Sequence, residues 1–232
     1  MNTYFCVEES MDEHLLKNRS HPQWVHILNK EYCNYMIERD ANFSIEYAKS
    51  LSSIQKQLFS HFDYDFKGKM DYKGAQDYMD VWPKFKGCFG VINEKIKHIF
   101  EELNISKEEY ILHPISIEGV EDNYYLMFIF QIPISNIILS SSVYCNGRHP
   151  DVVYDLKTPD QFYDGDFDRI KPLHIVLDKR FSNVDILRIE SCQHTFFSER
   201  LVDNLAQNNI IGLDYKTPGI YRGRVITSVS FE

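Results

Sequence analysis

From Tyr124 to Ile132 the chain reads Tyr-Tyr-Leu-Met-Phe-Ile-Phe-Gln-Ile, and Gln131 alone among these residues is polar. A run this short, without polar alternation, reads as a strand covered on both faces rather than as an amphipathic helix. Such a strand has to lie inside a sheet with apolar cover on each side, so the rest of the chain must supply two covering layers. With 232 residues, 44% of them hydrophobic, there is enough material to do so. The apolar character extends to Leu139 but is interrupted by Gln131, Pro133, Ser135 and Asn136. That is too short and too polar to cross a bilayer of about 30 Å as a helix, and no membrane segment is expected.

Further strand-like runs surround this one. Tyr110–Ile117, Ile137–Leu139, Val152–Leu156, Leu173–Leu177, Ile186–Ile189 and Val225–Phe231 are short and rich in β-branched and aromatic residues, and Asn146-Gly147 is a turn signal. The N-terminal part reads differently. Ile45, Ala48, Leu51, Ile54, Leu58 and Phe62 recur at steps of three or four, which places them on one helix face behind a Ser44 cap, and Asp63 to Gly74 reads as the loop that follows. The expected fold is therefore α+β, a largely antiparallel or mixed sheet with flanking helices and a more helical N-terminal zone. No Gly/Ser-rich or Pro-rich linker divides it, so one domain over 1–232 is expected, with 1–76 as the helical zone.

Two segments share one grammar. Asn93-Glu94-Lys95-Ile96 opens a helix whose Ile96, Ile99, Phe100 and Leu103 share a face and which ends at Asn104-Ile105. Ser198-Glu199-Arg200-Leu201 opens another, with Leu201, Val202 and Leu205 on one face, ending at Asn209-Ile210. Each begins with a capping residue and an acid in the first turn, where the helix dipole favours negative charge.

A search for reactive chemistry mostly excludes it. A net charge of −9 argues against nucleic acid, since phosphate contacts need concentrated Lys and Arg; the same charge favours a basic partner. The five cysteines are odd in number and widely spaced, which reads as free thiols rather than a disulfide framework or a metal site. With no secretion signal in Met1 to Glu9, a cytoplasmic location is expected. Phosphate-binding glycine loops, a GxSxG elbow and HExxH are absent, and His21 and His26 are misaligned for a helical metal pair, so no cofactor and no metal are expected. Asp164-Gly165-Asp166-Phe167-Asp168 starts like a calcium loop, but Arg169 stands where the turn glycine belongs and Ile175 where the closing Glu belongs. That leaves an acidic patch, Asp160, Asp164, Asp166 and Asp168 with Phe162 and Tyr163 interleaved, as a candidate partner-binding surface. Cys192 and His194 form a second candidate, a thiol and its base. Tyr221 to Arg224 reads as a solvated basic turn.

The order of these features resembles a family of bacterial immunity proteins from polymorphic toxin systems, known as domain of unknown function family 1629. The resemblance spans about Asp77 to Tyr215. Its parts are Asp77-Tyr78-Met79-Asp80, the Gly90-Val-Ile-Asn-Glu helix start, His113-Pro114-Ile115 and Tyr124-Tyr125-Leu126. It closes with Phe196-Phe197-Ser198-Glu199-Arg200-Leu201 and Asn209-Ile210-Ile211-Gly212-Leu213-Asp214-Tyr215. Phe197, Ser198, Glu199, Leu201, Leu205 and Gly212 carry the most specific part as caps, turns and core. The resemblance implies a protein that binds and blocks a cognate toxin in the cytoplasm of the producing cell, without catalysis of its own. Two other classes compete: an enzyme with a cleft around Cys192 and His194 or the Asp164–Asp168 acids, and a homo-oligomeric structural module.

Overall fold

The computed structural model describes residues 3–10, 23–31, 33–34, 65–71, 74–83, 87–164, 170–192, 194–221 and 224–232. The helix expected over Ile45–Phe62 and the histidine at position 21 lie outside them. In chain order the first half holds β1 (Tyr4–Glu9), β2 (Trp24–Ile27), β3 (Phe66–Met70), β4 (Tyr78–Trp82), β5 (Cys88–Asn93), α1 (Glu94–Glu102), β6 (Tyr110–Ile117) and β7 (Tyr124–Ile129). Next come β8 (Gln131–Ile132), β9 (Val143–Asn146), β10 (Val153–Tyr154), α2 (Pro159–Asp164), β11 (Ile170–Leu177) and β12 (Ile186–Ile189). The chain ends with β13 (Thr195–Ser198), α3 (Glu199–Gln207), β14 (Leu213–Lys216), β15 (Gly219–Tyr221), β16 (Arg224–Ile226) and β17 (Ser228–Phe231). Two compact units result. A barrel unit is built from Glu8–Phe130 and Arg200–Asp214, and a two-sheet unit from Met1–Val7, Gln131–Glu199 and Tyr215–Glu232.

In the barrel unit six strands close on themselves in the order β2-β3-β6-β7-β5-β4. Pairing is parallel between β2 and β4 and between β3 and β6, and antiparallel elsewhere. Closure leaves no unpaired edge. The interior is filled by alternate residues of each strand, among them Val25, Phe66, Val81, Val91, Ile115 and Leu126. The strand read as buried on both faces is β7: Leu126, Met127, Phe128 and Ile129 are each 0% exposed.

This architecture corrects the expected fold class. The protein is mostly β around a closed barrel, not an α+β sheet with flanking helices, and the described part of the N-terminal zone supplies β1, β2 and β3, with helical residues only at 30, 31, 33 and 34. The segment read as a loop after Asp63 contains β3, in which Phe66 and Gly68 face inward and Lys67 and Lys69 outward. The alternation is hidden because one inward position is a glycine. A Cβ on Gly68 would stand 2.5 Å from Val25 Cγ1 and 3.1 Å from Ile115 Cδ1, so the barrel wall leaves no room for a side chain there.

Three segments of the barrel unit, around Asp77, Asn93 and Ile211, meet at one knot. The Asp77 carboxylate accepts from Asn93 Nδ2 at 2.7 Å and from the Ile211 backbone N–H at 2.8 Å. Asn93 N donates to Asp77 O, and Tyr78 N to Ile211 O. Asn93 also caps α1, its Oδ1 accepting from Ile96 N at 3.2 Å. Beside the knot, Gly212 has φ +105° and its hydrogen points at backbone: a Cβ there would lie 2.2 Å from Tyr78 O. Gly212 is thus required both by its dihedral and by close approach.

The two helices with similar grammar also end alike. Asn104 and Asn209 are left-handed, with φ of 54° and 51°. At the first, Ile105 N bonds Phe100 O and Asn104 N bonds Glu101 O; at the second, Ile210 N bonds Leu205 O and Asn209 N bonds Ala206 O. Both are Schellman closures, and the apolar pairs that accompany them, Phe100 with Ile105 and Leu205 with Ile210, are buried.

The two-sheet unit contains a five-stranded sheet, β14-β1-β13-β12-β8, a four-stranded sheet, β10-β9-β11-β17, and the β15-β16 hairpin. Tyr4 of the first sheet packs on Phe231 of the second with ring centroids 5.4 Å apart. Glu190 braces the loops, accepting from Tyr163 OH at 2.7 Å and from Ile134 N at 2.9 Å. Ser198, the residue before α3, donates its hydroxyl to Asp185 Oδ1 at 2.5 Å.

Replacing Gly212 by Ala is expected to lower the unfolding free energy by about 3 kcal/mol, because overpacking against backbone adds to the left-handed penalty. Gly119→Ala, where φ is +74° and the space is open, should cost only about 1 kcal/mol. Urea denaturation of the two variants checks this; equal losses would remove the close approach as the cause.

Candidate functional site

The acidic stretch proposed from sequence is divided by the fold. Asp160 is exposed in the first turn of α2, whereas Phe162 and Tyr163 are 2% and 4% exposed. Phe162 packs near Tyr144, with centroids 6.1 Å apart, and against Tyr163 at 5.6 Å. These rings belong to the core of the two-sheet unit and are withdrawn from any partner. The short helix turns these two neighbouring rings inward while Asp160 stays exposed. Asp164 is the last residue of α2, and the acids at 166 and 168 lie outside the described residues.

The Cys192 and His194 pair is brought together in a cleft of the two-sheet unit, about 290 Å³ in volume, lined also by Gly147, Lys171, Pro172, Arg224, Val225 and Thr227. Four separated strand ends converge here. Thr227 Oγ1 donates to Pro172 O at 2.8 Å, which uses its one proton. The Cys192 thiol, 3.4 Å away, therefore donates to Thr227. Burial pushes the thiol pKa up, against smaller downward pulls from Thr227, the His194 backbone, Lys171 and Arg188. A protonated, buried thiol is the opposite of an activated nucleophile. Nearby, burial and then Cys192 raise the Tyr144 phenol to about 12, while its bond with Ser191 Oγ at 3.3 Å works the other way.

The barrel unit carries a second concavity, an open groove of about 500 Å³ along β6 and β7. Ile111, Leu112, Tyr125 and Phe130 line it half-buried, and Pro114 is exposed. Its tyrosines are held in place. Lys97 Nζ lies 5.4 Å from the Tyr125 ring centroid and donates to Glu94 Oε1 at 2.5 Å, while Tyr125 OH donates to the other Glu94 oxygen. These bonds, Lys97 first and Tyr125 second, hold the Glu94 carboxyl below its ordinary range. Lys107 lies 4.8 Å from the Tyr110 ring centroid and donates to its hydroxyl at 2.8 Å.

Sequence reasoning missed both concavities as wholes. Arg224 reads as part of a solvated turn and Lys171 carries no sequence signal; only the fold puts them in one cleft. The residues of the closing motif, Phe197, Ser198, Leu201, Leu205 and Gly212, are buried, and Glu199 opens α3 exposed. Among the described residues no helix is long and apolar enough to cross a membrane. No protein-family model matches this chain, and no curated protein matches it.

Under native conditions at pH 7, Cys192 should be alkylated by iodoacetamide roughly tenfold or more slowly than in urea, read by peptide mass spectrometry. Rapid native labelling would restore it as a nucleophile. Above its ordinary pKa of 10 an unfolded tyrosine ionises, whereas Tyr144 keeps its proton to about 12. Stability should therefore fall as pH rises through that window, by roughly 2 kcal/mol for this residue. Tyr144→Phe should flatten the alkaline limb of a denaturation series; an unchanged limb would assign the loss to other groups.

Proposed function

We propose that this chain is an immunity protein that binds a cognate bacterial toxin in the cytoplasm and neutralises it by stoichiometric complex formation, without catalysing a reaction. The observation that supports this reading is the knot at Asp77. Three of the segments that resemble the immunity family, at residues 77–80, 90–94 and 209–215, bond one another there. The buried, proton-donating Cys192 thiol counts against the rival enzyme reading.

The toxin-facing surface is the groove of the barrel unit. Interfaces are anchored by aromatic and apolar side chains whose rotamers are fixed before binding, and Tyr125 is so fixed by Glu94 and Lys97. This differs from the acidic stretch at Asp160, whose aromatics are buried.

Coexpression with the toxin encoded beside it tests the function: growth should be rescued and a 1:1 complex recovered by size-exclusion chromatography with light scattering. No rescue would refute it. Leu112→Glu together with Pro114→Glu should weaken the complex by at least about 2 kcal/mol while leaving the melting temperature nearly unchanged. Unaltered affinity would move the interface elsewhere.

A further inference from the structure

The cleft of the two-sheet unit has a composition that the chain as a whole does not. Acids outnumber Lys and Arg by 34 to 25 along the sequence. Yet the described residues lining the cleft include Lys171 and Arg224 and no carboxylate. A concave site lined by cationic side chains raises the local concentration of anions.

The floor and the rim have different jobs. Thr227 and Cys192 are 1% and 5% exposed and are joined to each other and to the Pro172 carbonyl, so the polar atoms of the floor satisfy one another. Lys171 is half-buried and Arg224 exposed, at the rim. Lys171 immediately precedes the irregularity in β11, where the pairing with β9 shifts between Pro172 and His174. Bulges of this kind re-aim side chains beside sites, and this one is pinned by the Thr227 bond to Pro172. Gly147, also in the lining, adds no side chain to fill the cleft.

We propose that this cleft binds a small oxyanion, a ligand bearing phosphate or carboxylate groups, with Lys171 and Arg224 as its principal charged contacts. The volume of about 290 Å³ corresponds to about ten waters' share of the liquid and lies near the lower limit for small-molecule pockets. It suits an ion the size of pyrophosphate or citrate. Guanidinium and ammonium donors form charge-assisted bonds to such oxygens, while Pro172 and Val225 leave the remaining wall apolar. The inference is independent of the toxin-binding reading, which rests on the other unit.

The test is isothermal titration calorimetry and thermal unfolding of the full chain with sodium pyrophosphate, inorganic phosphate and sodium citrate, each against sodium chloride at matched ionic strength. Saturable binding is expected from pyrophosphate, citrate or both, and which one binds assigns the oxyanion. Lys171→Met and Arg224→Met should each weaken the Kd by about tenfold. Lys67→Met, which removes one exposed charge in the barrel unit, should leave it unchanged. If each anion shifts the melting temperature no more than chloride does, or if Lys171→Met and Arg224→Met bind as the parent does, the proposal falls.

Discussion

The carboxylate of Asp77 stands where β4 begins, β5 ends and the segment after α3 returns, and it accepts one hydrogen bond from each of the latter two. A barrel of six short strands needs something to fix where the ends of adjacent strands stop, since pairing alone permits slippage by whole residue pairs. Asp77 supplies this. Asn93, which it holds, is also the cap of α1, so the same contact sets the register of β5 and the start of the helix that follows. The Gly212 turn then lies against the Tyr78 carbonyl because Ile211 is already bonded to both Asp77 and Tyr78. Remove the carboxylate and the part-buried Ile211 N–H loses its partner, a cost of about 1 kcal/mol before any strand moves.

How much of this was readable depended on whether the signal was local. β6, β7 and β12 were legible because their residues are β-branched or aromatic and their runs end at turns. Both capped helices were legible because capping is written within a few residues. β3 was not, since its inward positions are one phenylalanine and one glycine and the glycine mimics a loop. β4, with Asp80 buried among apolar neighbours, likewise lacks a clean alternation. Barrel closure depends on parallel pairs between distant strands, and no short window contains that information.

The sites divide in the same way. Cys192 and His194 were found by proximity in sequence, and they do share a cleft. The neighbour that decides their chemistry, Thr227, lies far along the chain and accepts a hydrogen bond from the thiol. Phe162 and Tyr163 were sorted with the acids around them, although a helix of one and a half turns separates inward from outward positions regardless of local composition. The two concavities also differ in kind. The groove has a preset aromatic wall suited to a protein surface, whereas the cleft has a satisfied neutral floor under a cationic rim.

The pairing of β1 with β13, in which Cys6 stands opposite Phe196, has a consequence for synthesis. A ribosome delivers β1 well before β13, with β2 to β12 made in between. Until then β1 is a strand with an unsatisfied backbone, while the barrel strands from β2 to β7 have all emerged. The barrel can close during translation, but the five-stranded sheet cannot, and the nascent N-terminal strand needs protection from pairing elsewhere in the interval.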